Sequence, residues 1–450
     1  MGLTRCLKYI YDFHKINRLD YKSILNIQRH RFLHLVKHAK KHSSFYSSLY
    51  NNFEIDDNLL IEQLPVLDKK TIMDNFDNIV TVNDITLDKV DDFLNSEKDI
   101  SRKLDNKYNL IHSSGTTGRR WISIFDDTCF DYEIASTIFR KMRKFSIKHP
   151  RIAIVATENP HVGSTIFYKS MPHFIANVKH FSVKEPISIL VEKLNDFNPN
   201  LLGGYPGILK ALCDEKMKGS LKISPKRIYS GAYLLTEDIK SSIITAFNLV
   251  PFIFYAATEA TGPIAVECDH HSLHVFIDSI VFEVLDDYDK PMVEGKPGKV
   301  VMTNLMNLIQ PIIRYRLCDI VQMSNQKCPC GSSFPVIKKI WGREGDIIWV
   351  EKDNKDYEII DPILFNLKIS GLEKLQVIQE KNDFLRINII VGEKANKDEV
   401  IREVEKAVIN ILRQKDLHNI VRTQINVVHG IPLVSGLHKL VISKIGKLYI

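Results

Sequence analysis

Four hydroxyl side chains and two glycines fall within six consecutive residues, Ser113, Ser114, Gly115, Thr116, Thr117 and Gly118, between two apolar stretches. Glycines let a backbone aim its N–H groups at one point and hydroxyls add donors, so such a loop suits an anion such as phosphate. A Gly-Lys-Ser/Thr phosphate loop is excluded, because Gly118 is followed by Arg119 and Arg120. The next residues, Trp121 to Phe125, are mostly β-branched or aromatic and predict a strand. The loop therefore joins strand to strand and would hold an oligophosphate by backbone and hydroxyls, without a helix dipole. A polar hairpin turn has the same composition.

Three further groups end predicted strands. Tyr255-Ala-Ala-Thr258-Glu259 sets an aromatic for a base, a hydroxyl for a phosphate and a carboxylate for Mg²⁺ side by side. Asp319, closing Arg314-Tyr-Arg-Leu-Cys-Asp, can accept both hydroxyls of a ribose or can cap a turn. Ser230-Gly231-Ala232 is small enough to lie along a flat base, and equally reads as a plain turn. Separately, Cys328-Pro-Cys330 is a short thiol pair, and Cys268 with His274 lies some way upstream. Two thiolates from one turn with a Cys and a His from another segment would close a tetrahedral zinc site, with His270 and His271 as rival ligands. Cys318 reads as packing.

The elements that must position these groups alternate. After a helical pattern from Tyr21 to Tyr50 and an irregular stretch from Phe53 to Leu104, helices are expected at Phe130–Lys144, Ile187–Phe197, Pro206–Lys218 and Thr236–Phe247. Strands are expected at Arg151–Thr157, Val178–Val183, Arg227–Tyr229 and Pro251–Tyr255. That rhythm predicts an α/β domain whose ligands gather beyond the strand ends. From Ser279 to Val321 the pattern turns β-rich. Beyond Gly342, strands at Ile347–Val350, Leu375–Ile378, Leu385–Val391 and Gln424–Val428 flank an amphipathic helix at Lys397–Gln414, a small α+β unit. The expected organisation is thus a large N-terminal α/β domain with a β-rich subdomain, residues 1–343, and a small mobile α+β domain, residues 344–450.

Composition narrows the class. The 450 residues exceed one ordinary core, and 61 Lys and Arg against 54 Asp and Glu make the surface mildly basic. No basic block interleaved with aromatics points to nucleic acid, and no apolar run is long enough to span a membrane. Met1-Gly2 opens like a myristoylation site, but Cys6 stands where Ser or Thr is required. Seven cysteines without a signal sequence suit reduced thiols or a metal site in a cytoplasmic protein.

The phosphate loop, then Tyr-x-x-Thr-Glu, then Arg-Tyr-x-x-x-Asp, then Gly342-Arg343, resembles the adenylate-forming enzymes, nearest to phenylacetate-CoA ligase and related capsular-polysaccharide biosynthesis proteins. Tyr255 to Cys268, and Gly298 to Leu305 followed by Pro311-Ile-Ile-Arg-Tyr-Arg316, are the stretches most similar to that branch. The resemblance implies ATP phosphates on Ser113 to Gly118 and adenine along Ser230, Gly231 and Ala232 beneath Tyr255. It implies Thr258 on the α-phosphate, Glu259 on Mg²⁺, Asp319 on the ribose and Arg343 reaching in from a hinge. A small carboxylic acid, aromatic or otherwise apolar, would be activated as its acyl-adenylate and passed to coenzyme A. The alternatives are an amine or hydroxyl acceptor in polysaccharide or secondary-metabolite assembly, or a nucleotide-binding protein that has lost catalysis. The acid pocket is expected between Ala156 and Tyr168, around Tyr205 and beside Ala256 to Gly262, with Phe167 and Tyr168 in it. Several members of the branch carry a Cys and His set like this one, implying structural zinc. Two departures bear on mechanism. Gly345 replaces the usual hinge Asp or Lys, and Leu437 occupies the place of the adenylation lysine, leaving Lys439 as the catalytic candidate.

Overall fold

The computed structural model describes residues 2–97, 102–113, 120–141, 148–157, 161, 163, 165–166, 171–353, 356–432 and 439–445. Two N-terminal helices, α1 (Leu3–Ile16) and α2 (Tyr21–His42), lead the chain. The helical pattern expected to reach Tyr50 breaks at Ser43, whose side chain caps a new helix, Ser44–Leu49, by accepting from the Tyr46 N–H. The stretch read as irregular contains helices at Lys69–Asp74 and Phe76–Ile79, too brief to give a clear period, and at Leu87–Ser96, where Leu87, Val90 and Leu94 recur at helical spacing and are buried.

Strands β1 (Asn109–His112) and β2 (Ile122–Phe125) form an antiparallel hairpin. An 11-stranded sheet follows. Its first part is β3 (Arg151–Ala156), β4 (Asn177–Ser182), β5 (Leu201–Gly204), β6 (Arg227–Ser230) and β7 (Phe252–Ala257), all mutually parallel. Helices Ile187–Phe197, Pro206–Met217 and Glu237–Phe247 bury Leu190, Leu194, Leu209, Leu212 and Ile243 in one cluster with Ala153, Leu202 and Ile228 of the sheet.

At β7 the sheet changes sense. Antiparallel neighbours take over through β8 (Gly262–Glu267), β9 (Leu273–Val275), β10 (Ile280–Leu285), β11 (Pro297–Asn304), β12 (Ile312–Met323) and β13 (Val336–Arg343). The β-rich part is therefore continuous with the α/β sheet, and the switch from parallel to antiparallel falls at Tyr255 to Glu259, where open α/β sheets leave a crevice.

Beyond Arg343 come the hairpin β14 (Ile348–Asp353) and β15 (Asp356–Ile360), then β16 (Leu372–Lys381), β17 (Phe384–Val391), helix Lys397–Gln414, β18 (Arg422–Val427) and β19 (Val441–Ser443). The last four strands form one sheet in the order β18, β17, β16, β19. Val400, Val404, Val408 and Ile411 of the helix pack with Leu375, Val377, Ile387 and Ile389 in a core separate from that of the large sheet.

Candidate functional site

The β1–β2 hairpin presents the hydroxyl-and-glycine loop. Its neck is closed by Ser113, whose N–H donates to the Trp121 carbonyl and whose Oγ accepts from the Trp121 N–H, both at 3.0 Å. Residues 114–119, most of the expected phosphate loop, lie outside the described residues. The hairpin is tied to the Thr258–Glu259 turn. The Trp121 indole N–H donates to Ser123 Oγ at 2.7 Å, and that hydroxyl donates to the Thr258 carbonyl at 2.8 Å. Trp121 also packs on Tyr315, ring centroids 4.8 Å apart, and the Tyr315 hydroxyl donates to Glu259 Oε1 at 3.3 Å. Segments far apart in sequence are thereby held against one another by buried groups.

Asp319 and Arg343 face each other across the β12–β13 ladder, with Arg343 Nε 3.8 Å from Asp319 Oδ1. The register on the other side of β12 shifts between Lys299–Ile320 and Val301–Arg316, and Cys318 there has φ of +59°. Such a bulge re-aims side chains, here Asp319. It also leaves Cys318 exposed, correcting the reading of that thiol as packing. The Tyr255 hydroxyl donates to Asp319 Oδ2 at 2.6 Å, a charge-assisted bond. Tyr255 is only 9% exposed, so it presents little of its ring face. Burial pushes the Asp319 carboxyl above its ordinary range, opposed by the Tyr255 hydrogen bond and by Arg343. Burial raises Glu259 as well, opposed by a backbone hydrogen bond, Arg343 and Tyr315. Both carboxylates are poised to gain from a cation or from hydroxyl donors.

Sequence reasoning missed Lys69. Leu67 bridges to Tyr315 as a parallel partner, its N–H donating to the Arg314 carbonyl and its carbonyl accepting from the Arg316 N–H. This lays the segment along the side of β12 that β13 leaves free. Asp68 then caps the helix Lys69–Asp74 by accepting from the Thr71 N–H at 2.7 Å. Lys69 enters the field of Glu259, Arg343 and Cys318, and burial lowers its ammonium pKa while Glu259 opposes that shift. Among the described residues it makes no ion pair. Only the tertiary placement of Leu67 signals it. Lys439, by contrast, is paired with Asp346 at 2.6 Å, three residues past Arg343, and both side chains are about one-third exposed. Leu437 lies outside the described residues.

Ser230, Gly231 and Ala232 turn at the end of β6, beside the switch point. A Cβ on Gly231 would come within 2.4 Å of the Phe254 ring, and Ala232 sits at φ of +68°, a strained conformation for a residue with a side chain. The Ser230 Oγ is buried and lacks a partner among the described residues. Of the expected acid pocket, Tyr205 packs edge-on against Tyr233 and accepts from the Thr157 N–H, whereas Phe167 and Tyr168 lie outside the described residues. A cleft of about 580 Å³ opens between Leu234 and Thr236 on one side and Phe365, Leu375 and Leu440 on the other.

The four metal-ligand candidates come together. One donor atom from each of Cys268, His274, Cys328 and Cys330 lies within 4.8 Å of the others. Cys268 Sγ is 3.6 Å from Cys328 Sγ, and Cys330 Sγ is 3.3 Å from His274 Nε2. A tetrahedron with Zn–S bonds of about 2.3 Å and Zn–N bonds of about 2.0 Å has edges of roughly 3.5 to 3.8 Å, so the spacing fits zinc. His274 Nδ1 lies 2.9 Å from the Phe334 carbonyl, which orients the ring with Nε2 toward the thiols. The N–H groups of His270 and Ser332 donate to the sulfurs of Cys268 and Cys330. The rival His271 is instead turned to Glu267 and Phe252.

No family model matches the chain. Among curated proteins, it is 21% identical over 360 residues to the protein CapK of Staphylococcus aureus, an alignment covering 77% of this chain and 72% of CapK. It is 27% identical over 168 residues to the phenylacetate-coenzyme A ligase of Thermus thermophilus, covering 36% of this chain and 38% of the ligase. Among solved structures, 2-hydroxyisobutyryl-CoA ligase in the postadenylation state, in complex with 2-HIB-AMP, superposes with a TM-score of 0.70 at 19% identity, covering 93% of this chain and 89% of that one. The chain has the fold of the adenylate-forming ligases.

Proposed function

We propose that this chain, a homologue of CapK and the phenylacetate-CoA ligases built on the adenylate-forming fold, activates a small carboxylic acid with ATP and passes the acyl group to coenzyme A. The observation that carries the reading is the junction described above: the hairpin bearing the hydroxyl-and-glycine loop is hydrogen-bonded to the Thr258–Glu259 turn, beside the Asp319–Arg343 pair.

In the first step the acid's carboxylate oxygen attacks the α-phosphorus, and the bond to the bridging oxygen breaks to release pyrophosphate. The protein's task is positioning and charge neutralisation. Ser113 to Gly118 receive the β- and γ-phosphates, and Ser230, Gly231 and Ala232 line the adenine beside Tyr255. The Thr258 hydroxyl meets the α-phosphate, Asp319 accepts the ribose hydroxyls and Arg343 approaches from the hinge. Glu259 would hold Mg²⁺, which neutralises phosphate charge when bound. Lys69 supplies a fixed cation from the N-terminal side, and Lys439 reaches the phosphates by leaving Asp346. In the second step the thiol of coenzyme A, entering by the cleft beside Leu234 and Phe365, attacks the carbonyl and displaces AMP. Reorientation of residues 344–450 about Gly345 admits it.

The Cys268, His274, Cys328 and Cys330 set would hold a structural zinc, clamping the β8–β9 hairpin to the loop between β12 and β13. The acid is small, aromatic or otherwise apolar, and the setting is cytoplasmic. No described helix is long and apolar enough to cross a membrane.

The test is ATP–pyrophosphate exchange with a panel of aromatic and aliphatic acids, followed by addition of coenzyme A. Acid-dependent exchange and a thioester product are expected. Exchange without thioester moves the acceptor to an amine or hydroxyl, and nucleotide binding without exchange for any acid refutes catalysis.

A further inference from the structure

The first 42 residues carry ten Lys and Arg against only Asp12 and Asp20, a net charge of +8, while the whole chain carries +7. The excess positive charge of the protein therefore resides in α1 and α2, and everything after them is close to neutral. Charge gathered in this way at one end marks a surface for an anionic partner.

The geometry of α1 says which. Its inner face is anchored: Cys6, Phe13 and Ile16 are buried, and Tyr9 and Phe13 pack edge-on against Tyr132 of the helix Asp127–Ser136. Its outer face carries Leu3, Leu7 and Tyr11, one turn apart, at 45%, 57% and 58% exposure. The other exposed residues of the helix are Thr4, Lys8, His14 and Lys15, with Arg18 and Asp20 just beyond, and Asp12, its one acidic residue, is half-buried. The Lys15 ammonium lies 4.4 Å over the Tyr11 ring, so cation and apolar stripe share one face. A purely ionic polymer would need the cations but not three outward apolar side chains. A helix lying in the headgroup region of a membrane needs both, since apolar side chains enter the acyl boundary while Lys and Arg meet anionic headgroups.

We propose that the outer face of α1 docks the protein on an anionic lipid bilayer. The inference is independent of the catalytic reading, and its test involves no activity. The full chain is mixed with phosphatidylcholine vesicles with and without phosphatidylglycerol, and bound protein is measured by flotation. Binding is expected only with phosphatidylglycerol and is expected to weaken with salt. Substituting Lys8, Lys15 and Arg18 together by Gln should weaken partitioning about a hundred-fold, and substituting Leu3, Leu7 and Tyr11 together by Ser should weaken it at least about tenfold. Circular dichroism confirms that each variant retains its fold. Absence of binding to the anionic vesicles overturns the proposal. So does undiminished binding by the Ser variant with equally tight capture of the wild type on heparin, which would make the face a site for soluble polyanions.

Discussion

Replacing Tyr255 by Phe removes one hydroxyl and keeps the ring. That hydroxyl donates to Asp319 Oδ2 at 2.6 Å in a setting where the ring is 9% and the Asp319 side chain 15% exposed. A hydrogen bond to a charged group in such a place contributes about 1.5–3 kcal/mol, and its loss leaves the carboxylate with the more distant Arg343 as its partner. That bond is present without nucleotide, so Tyr255→Phe should lower stability by about 1.5–3 kcal/mol, and because Asp319 is the group proposed to hold the ribose, it should also weaken AMP binding. The variant also makes a pH-dependent statement. Burial raises the Asp319 pKa and the Tyr255 hydrogen bond lowers it, so without the hydroxyl the carboxyl holds its proton to higher pH and the acid limb of binding moves upward. Calorimetric titration of AMP across the acid range measures both effects on binding. A variant with wild-type affinity and an unmoved acid limb would show that Asp319 is not the ribose ligand or that Tyr255 does not position it.

Other expectations follow from the same geometry. Lys69→Ala should lower pyrophosphate exchange about ten- to a hundred-fold, and Lys439→Ala should lower it less, because Lys439 must first leave Asp346 at a cost of roughly 0.2–1 kcal/mol. The reverse order would return the role to Lys439. In the wild type, Glu259 and Asp319 both act as carboxylates and both are raised by burial, so exchange should fall off on the acid side above the 4.5 of an ordinary glutamate. For these two groups alone, stability without nucleotide moves the other way. The folded state takes up their protons first, so stability rises as pH falls through that window, and melting curves against pH check the sign. Purified protein should contain zinc by elemental analysis. If zinc is present at a thousandfold excess over its dissociation constant, removing it should cost about 4 kcal/mol. A zinc-free protein that melts unchanged after chelation would remove the metal from the fold.

The sequence determined whatever short-range pattern can encode. Periodicity alone placed the helices Ile187–Phe197 and Lys397–Gln414 to the residue, because each buries one regular face. It also set the loop between two strands and singled out the Cys and His side chains whose donor atoms converge. It did not show β8, β9, β13 or β19, which are short or lack alternation and form because a neighbour supplies their hydrogen bonds. Nor could it show Lys69. Nothing about a lysine after Leu-Asp distinguishes it until Leu67 bonds to β12 and swings the helix toward Glu259. The partnership of Tyr255 with Asp319, and the bulge that aims Asp319, likewise exist only once separate strands take adjacent places in one sheet. Residue types limit which chemistry is available. Which groups meet depends on register and burial, and those are properties of the whole chain.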